Sequence, residues 1–194
     1  MAILHYLPMF FATNLFMRRM CPDVSTTNIT SAIHATTTCI GTVLSMLRYI
    51  PFESVHQFSS AYFMYDATML LMKRPFGLTD AGFLYHHAAS IVLMSRRNNP
   101  TYFVRYIFLL SELSNLPMYV VKYLIDNGIQ GKRLRRWKLI QFATYFPLRI
   151  LGVGYFSARA ISTHYDDPAI WFLSPMLLLI LEWVRRLWHN LPIG

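Results

Sequence analysis

The amino-acid sequence predicts an all-α protein, a polytopic transmembrane helical bundle with about seven spans. Two observations carry this prediction. Of the 194 residues, 55% are hydrophobic and only 14% are charged, and the charged residues gather between apolar runs instead of along amphipathic faces. The apolar runs are about 17–23 residues long, which suits a hydrocarbon core of about 30 Å.

The spans are predicted from the apolar runs and from the turn-forming residues between them, at 2–17, 28–47, 54–72, 79–95, 101–123, 139–159 and 168–188. The first run is short and is interrupted by Pro8 and Asn14, so an interfacial helix is the alternative interpretation there. No linker is long enough to divide the chain, and residues 1–194 are therefore predicted to form a single domain.

A formal net charge of +9 would suit a nucleic-acid-binding protein. The basic residues, however, punctuate the apolar runs, which is typical of loops beside anionic headgroups, and nucleic-acid binding is not predicted. Seven spans would put twelve Lys and Arg residues on one side and only four on the other, Arg48, Arg96, Arg97 and Arg159. The positive-inside rule then predicts a cytosolic C-terminus and an N-terminus on the lumenal or outer side.

Costly polar residues lie inside the predicted spans, where an ionisable side chain is by default a functional-site hypothesis. At about 1.5 Å per helical residue, His34, Asp66, His86 and His87 share a level roughly 9–12 Å below the cytosolic surface. Lipid would leave these groups unpaired. We therefore predict that His34, Asp66 and at least one of the adjacent histidines converge on one cavity that opens toward the cytosol.

Glu112 and Arg149 are predicted to lie deeper, near the middle of the bilayer and level with each other. A buried charge without a partner is expensive in a membrane interior. The sequence therefore predicts an ion pair between the Glu112 carboxylate and the Arg149 guanidinium.

The adjacent histidines His86 and His87 project about 100° apart on a helix, so one can face the interior while the other turns to a neighbouring helix. An imidazole can act as a general base or a nucleophile, and Asp66 is the natural carboxylate to orient it. This arrangement would suit acyl transfer from a thioester to an amine or an alcohol. Two alternatives are histidines that only pack, or a metal site formed by His34, Asp66 and one of the pair. No spacing matches a specific metal motif, so no metal is predicted.

Four segments, in their order and spacing, resemble the TLC domain family, named after the translocating-chain-associated, longevity-assurance and neuronal ceroid lipofuscinosis membrane proteins. The segments are Ser31-Ala32-Ile33-His34-Ala35, Tyr62-Phe63-Met64-Tyr65-Asp66, His86-His87 and Ser111-Glu112-Leu113-Ser114-Asn115. A closing leucine-rich helix with Glu182-Trp183 fits more loosely. The resemblance covers roughly residues 25–188.

This resemblance implies a barrel of helices around a lipid-accessible cavity. In the ceramide synthases of the family, which join a fatty acyl group from acyl-CoA to a sphingoid amine, paired histidines are catalytic. By that resemblance the catalytic candidates are His86, His87 and Asp66. The substrate-binding candidates are His34, Tyr62, Tyr65, Glu112, Asn115 and Arg149. The synthases carry a His-Asp pair and a further aspartate where this chain has Ser111-Glu112 and Asn115, so it resembles the other members more closely.

Three functions follow as hypotheses. The first is a lipid-handling protein of lipid metabolism or homeostasis, which binds or senses a single-chain lipid and influences membrane composition. The second is an acyl-CoA-dependent N-acyltransferase of the ceramide synthase type. The third is a trafficking or chaperone factor for membrane proteins, although no sorting signal is visible. We expect no bound cofactor, acyl-CoA only as a co-substrate, membrane lipids as partners, and the endoplasmic reticulum or another endomembrane as the location. A homodimer is left open.

Overall fold

The computed structural model describes residues 3–20, 26–72, 75–95 and 101–191, and every regular element in these ranges is helical. The helices are α1 Ile3–Met20, α2 Thr26–Met46, α3 Phe52–Met72, α4 Leu78–Ser95, α5 Thr101–Asp126, α6 Lys132–Phe146, α7 Gly154–Thr163 and α8 Leu173–His189. A π-helical segment, Pro147–Val153, joins α6 to α7, and a 3₁₀ turn, Pro168–Phe172, leads into α8. The all-α prediction is confirmed.

The predicted spans coincide with the helices within a few residues, except at the start of α6. The basic stretch from Lys132 to Lys138, interpreted from the sequence as a loop, is the first half of this helix. Lys, Arg and Leu are good helix formers, so the helix extends ahead of its apolar part. Gly131, at a φ of 72°, marks its beginning. Residues 73–74 and 96–100, which separate predicted spans, lie outside the described residues.

In the part of the chain that the structure describes, one helix is both long and apolar enough to cross a membrane. It is Pro168–His189, with 22 residues and a mean hydropathy of 1.4. The other helices are shorter or carry more polar residues. Many of these polar residues face inward; on α3, for example, His56, Ser59 and Ser60 are buried. The seven-span arrangement accordingly stays a prediction.

Helix α2 shows this distribution most clearly, with polar residues inside and apolar residues outside. Its buried face carries Asn28, Thr30, His34, Thr38, Thr42 and Ser45. Its exposed face carries Ile33, Ile40 and Val43 beside Thr36 and Thr37. A water-soluble bundle has the opposite arrangement, so this pattern favours a lipid environment around the helices.

Small side chains let α2 and α3 approach closely. Ala35 and Ala61 are fully buried, and the Thr38 and Ser59 hydroxyl oxygens lie 3.0 Å apart in a hydrogen bond between the helices. Small residues and interhelical hydroxyl bonds are the means by which helices associate in lipid, where the hydrophobic effect is missing. This close packing fixes the polar face of α2 against α3 and positions the site described next.

Candidate functional site

The two adjacent histidines of α4 are both buried but face different neighbours. The His86 and His87 ring centroids lie 5.5 Å apart, with the ring planes tilted by 53°. His86 points toward α5 and α8, whereas His87 points toward α3. This divergence is the one expected for consecutive residues on a helix.

His87 forms a short polar contact with a carboxylate. Its Nε2 lies 2.7 Å from Asp66 Oδ2, across the interface between α3 and α4. The ring also stacks on Phe63, at 5.0 Å between centroids and 24° between planes. The His87 Nδ1 atom is buried and has no hydrogen-bond partner. Asp66 and Phe63 thus fix the imidazole, while one ring nitrogen stays free for a proton.

His86 lines a cavity between α4, α5 and α8, called here the α4–α5–α8 cavity. Its volume is about 30 Å³, comparable with the share of one water molecule in the liquid. Its polar lining consists of His86, Ser90, Ser111 and Glu112, and the rest is apolar. The His86 Nδ1 atom lies 3.2 Å from Met176 Sδ, a weak acceptor that a ligand could displace.

His34 occupies a separate aromatic cage. Its ring stacks on Tyr62 at 3.8 Å between centroids and 10° between planes, and neither ring nitrogen has a hydrogen-bond partner. The nearest carboxylate is Glu112, whose Oε2 lies 3.9 Å from His34 Nδ1. Neither His34 nor Asp66 lines the α4–α5–α8 cavity, and Glu112 is the carboxylate that adjoins His34. The convergence of His34, Asp66 and a histidine of α4 on one cavity stays a prediction.

The two candidate tyrosines, Tyr62 and Tyr65, lie outside the lining of the cavity. The Tyr62 hydroxyl donates to Ser31 Oγ at 2.7 Å, which ties α3 to the first motif on α2. Tyr65 is fully buried and packs against Phe10 and Phe11 of α1. Neither tyrosine lines the α4–α5–α8 cavity. In this structure both residues are part of the aromatic packing, and Tyr62 also supports His34.

Arg149 is buried on the π-helical segment, at 2% exposure. Its Nε donates to Ser114 Oγ at 2.8 Å, and its Nη2 donates to the Ser111 carbonyl at 3.1 Å and to Asn115 Oδ1 at 3.0 Å. These acceptors lie three and four residues apart on α5 and so share one face. The π-helical segment directs the Arg149 side chain toward α5. Segments of this kind are frequent at functional sites.

The pair predicted between Glu112 and Arg149 is not a direct contact among the described residues. Among the described residues Arg149 bonds to neutral oxygens of α5, and Glu112 approaches His34. Asn115 lies between them, because its side chain accepts from Arg149 and also interacts with the Glu112 carboxylate. A continuous polar series thus runs from Arg149 through Asn115 and Glu112 to His34. Glu112 is the member that also reaches the cavity.

Several residues of the site were not predicted from the sequence. Ser90 and Met176 line the cavity, and Phe63 separates the two histidines from the His34 cage. Ser90 lies four residues after His86 on α4, so its helical spacing could have indicated it. Nothing in the sequence pairs Met176 with His86, because that contact joins residues 90 positions apart.

The described residues contain no group of three or more His, Cys, Asp or Glu side chains placed to hold a metal ion. His34 and Asp66, two of the three ligands of the alternative metal site, have different partners. The arrangement offers other chemistry: an oriented imidazole at His87, a second imidazole at a cavity wall, and a buried carboxylate at Glu112.

Helices with apolar outward faces around an interior of histidines, carboxylates and a buried arginine are typical of a membrane protein. Comparison with family models identifies the family: the TLC domain (TRAM/LAG1/CLN8) matches residues 24–189. The chain therefore belongs to the TLC domain family of membrane proteins. Comparisons with curated proteins and with solved structures gave no match.

Proposed function

We propose that this TLC-domain protein spans the membrane seven times and acts in lipid metabolism or homeostasis by binding or sensing a single-chain lipid. The observation that carries the proposal is the α4–α5–α8 cavity, where His86 and Glu112 interrupt an apolar lining. Ligand sites for amphiphiles combine apolar walls with a few placed polar groups. The polar end of the lipid would meet these two side chains.

The lipid would enter where the helices pack loosely. Helix α4 makes few close backbone contacts with α5 and with α8, in contrast to the extensive contact between α2 and α5. A cavity of about 30 Å³ is far below the roughly 300 Å³ of a small ligand pocket. A bound chain would therefore hold α4 apart from α5 and α8, and this separation is the change by which the protein would sense a lipid.

Filling the cavity should weaken lipid binding. Ser90 is buried and lines the cavity, so Ser90→Leu would occupy the space of the polar headgroup. The measurement is cross-linking, in native membranes, of a photoactivatable single-chain lipid to the protein, followed by peptide mapping. We expect labelling on α4, α5 and α8 of the wild type and a drop of about tenfold in the variant, as for a lost binding step of about 1.4 kcal/mol.

Ser95→Leu is the matched control, because Ser95 is exposed at the end of the same helix. Both variants must elute as single species in detergent for the comparison to count. Equal labelling of Ser90→Leu and the wild type, or labelling confined to α1 and α2, would overturn the proposed site. Lipid profiles of cells expressing the three proteins extend the test to membrane composition.

We propose that the protein resides in the membrane of the endoplasmic reticulum or in another endomembrane. Its C-terminus would lie on the cytosolic side. Gln130 and Asp166 are exposed in turns before α6 and before α8, which this topology puts on opposite sides. With Cys21 and Cys39 replaced by alanine, Gln130→Cys should react with a membrane-impermeant maleimide in sealed microsomes. Asp166→Cys should react only after permeabilisation. The opposite pattern, or reaction of both in sealed microsomes, would contradict the orientation.

A second candidate function is acyl transfer from acyl-CoA to a lipid amine, and the 2.7 Å contact between His87 and Asp66 favours it. In that reaction the amine nitrogen bonds to the acyl carbon as the carbon–sulfur bond breaks. An imidazole accepts the amine proton, and the departing thiolate gains a proton to give free CoA. Asp66 would orient His87 and stabilise its cation, while His86 faces the reacting groups in the cavity.

A further inference from the structure

A second cavity lies at the end of the bundle where α2 ends and α3 begins. It is open, has a volume of about 390 Å³, and is bounded by the end of α2, the turn to α3 and the first turns of α5. Ser45, Arg48 and Arg105 line it together with the aromatic residues Tyr49 and Phe52. Its volume is that of a small-ligand site, and neither of its arginines has a part in the function proposed above.

Two buried hydrogen-bond donors of this cavity, on Arg105 and Ser45, lack acceptors among the described residues. Neither Arg48 nor Arg105 forms an ion pair with a described carboxylate. Arg105 lies over the Phe52 ring, 5.1 Å from its centroid, and its Nε is buried without a partner. Ser45 is 3% exposed, and its hydroxyl also has no partner. Buried donors are nearly always satisfied in folded proteins, so these atoms indicate a missing acceptor.

The backbone at Arg48 is strained. Its φ of 64° lies in the left-handed region, which favours glycine. Tyr49 N donates to the Leu44 carbonyl at 2.9 Å and closes the end of α2. Helix α5 ends in the same way, but there the left-handed position is taken by Gly128, at a φ of 66°. The sequence thus keeps an arginine at a position where glycine would be less strained, and strain of this kind is a pointer to function.

We propose that this cavity binds a phosphate group, either of a lipid headgroup or free in solution, through the Arg48 and Arg105 guanidinium groups and the Ser45 hydroxyl. The planar guanidinium matches phosphate oxygens in pairs. The nearby carboxylate of Glu53 does not neutralise the arginines, since it lies 3.6 Å from His56 Nδ1 and its side chain is 66% exposed. Tyr49, at 76% exposure, is of the residue type enriched at headgroup level.

The test uses the full chain in phosphatidylcholine nanodiscs and measures the melting temperature. One arm titrates inorganic phosphate against chloride at matched ionic strength, and the other raises the mole fraction of phosphatidic acid without free phosphate. The wild type should show a saturable rise in at least one arm. Arg48→Gly and Arg105→Met should each weaken the apparent affinity about tenfold or more through loss of charge-assisted hydrogen bonds. Arg159→Met, which removes the same charge from an exposed position on α7, should not.

A rise with phosphate alone identifies a free anion as ligand, and a rise confined to phosphatidic acid identifies a headgroup. Arg48→Gly relieves the backbone strain and is expected not to lower the melting temperature without phosphate. It therefore decides the question even if Arg105→Met does not fold. The proposal is overturned if neither arm shows a saturable rise, if the rise survives in Arg48→Gly, or if Arg159→Met weakens it equally.

Discussion

Replacing Arg149 by methionine should lower the free energy of unfolding by about 3–5 kcal/mol. The guanidinium is 2% exposed and donates to Ser111, Ser114 and Asn115 of α5. Methionine fills a similar volume but leaves these acceptors without a donor and takes a positive charge away from the Glu112 carboxylate. Denaturant or thermal unfolding in one detergent, followed by circular dichroism, measures the difference.

Two variants make this result specific. Arg159→Met removes the same charge from an exposed position on α7 and should stay within about 0.5 kcal/mol of the wild type. Arg149→Lys keeps the charge but not the forked donor geometry and should fall between the wild type and Arg149→Met. If Arg149→Met were as stable as Arg159→Met, the polar series from Arg149 to His34 would not be a determinant of the fold.

The sequence predicted the helices well because a membrane core imposes a length on each apolar run. Each predicted span overlaps one helix, or in the case of 139–159 the continuous path from α6 through Pro147–Val153 to α7. The error at Lys132–Lys138 arose because charge was used to locate loops. Charge marks where a helix leaves the hydrocarbon, whereas the helix itself begins where the backbone turns, which for α6 is at Gly131.

The partners within the site were less predictable, because span boundaries give depth and not rotation about the helix axis. Depth placed Glu112 level with Arg149 and His34 level with Asp66, whereas the direct contacts in the structure join Glu112 to His34 and Asp66 to His87. The face on which Arg149 lies depends on the π-helical turn that begins at Pro147. One added residue per turn rotates the following side chains, and no apolar periodicity reveals it.

The divergence of the two histidines could be predicted, since it depends only on helix geometry. Which histidine faces the cavity could not, because that depends on how α3 and α8 pack on α4. In the structure His87 contacts Asp66, and His86 lines the cavity. The imidazole that is oriented by a carboxylate and the imidazole that faces the cavity are therefore different residues.

Substituting the two histidines should separate acyl transfer from lipid handling. If the protein is an acyltransferase, His86→Ala and His87→Ala should each strongly lower amide formation from acyl-CoA and a long-chain amine, because one imidazole faces the reactants and the other is held by Asp66. General base catalysis contributes about 10²–10⁴-fold, so the loss should be of that order. Asp66→Asn should retain part of the activity, since an amide still positions the ring without stabilising its cation. The measurement is product formation by purified protein in lipid nanodiscs.

His164→Ala serves as the control for a removed imidazole, because His164 ends α7 away from both site histidines. All variants should keep the helical content and the membrane insertion of the wild type, so that lost product reports lost chemistry. If no substitution changes product formation, or if the wild type forms none, acyl transfer is wrong. A double variant, His86→Ala with His87→Ala, that forms no product but still cross-links the lipid probe would separate catalysis from binding. A double variant that also loses the probe would assign the histidines to lipid binding, because His86 forms part of the cavity wall.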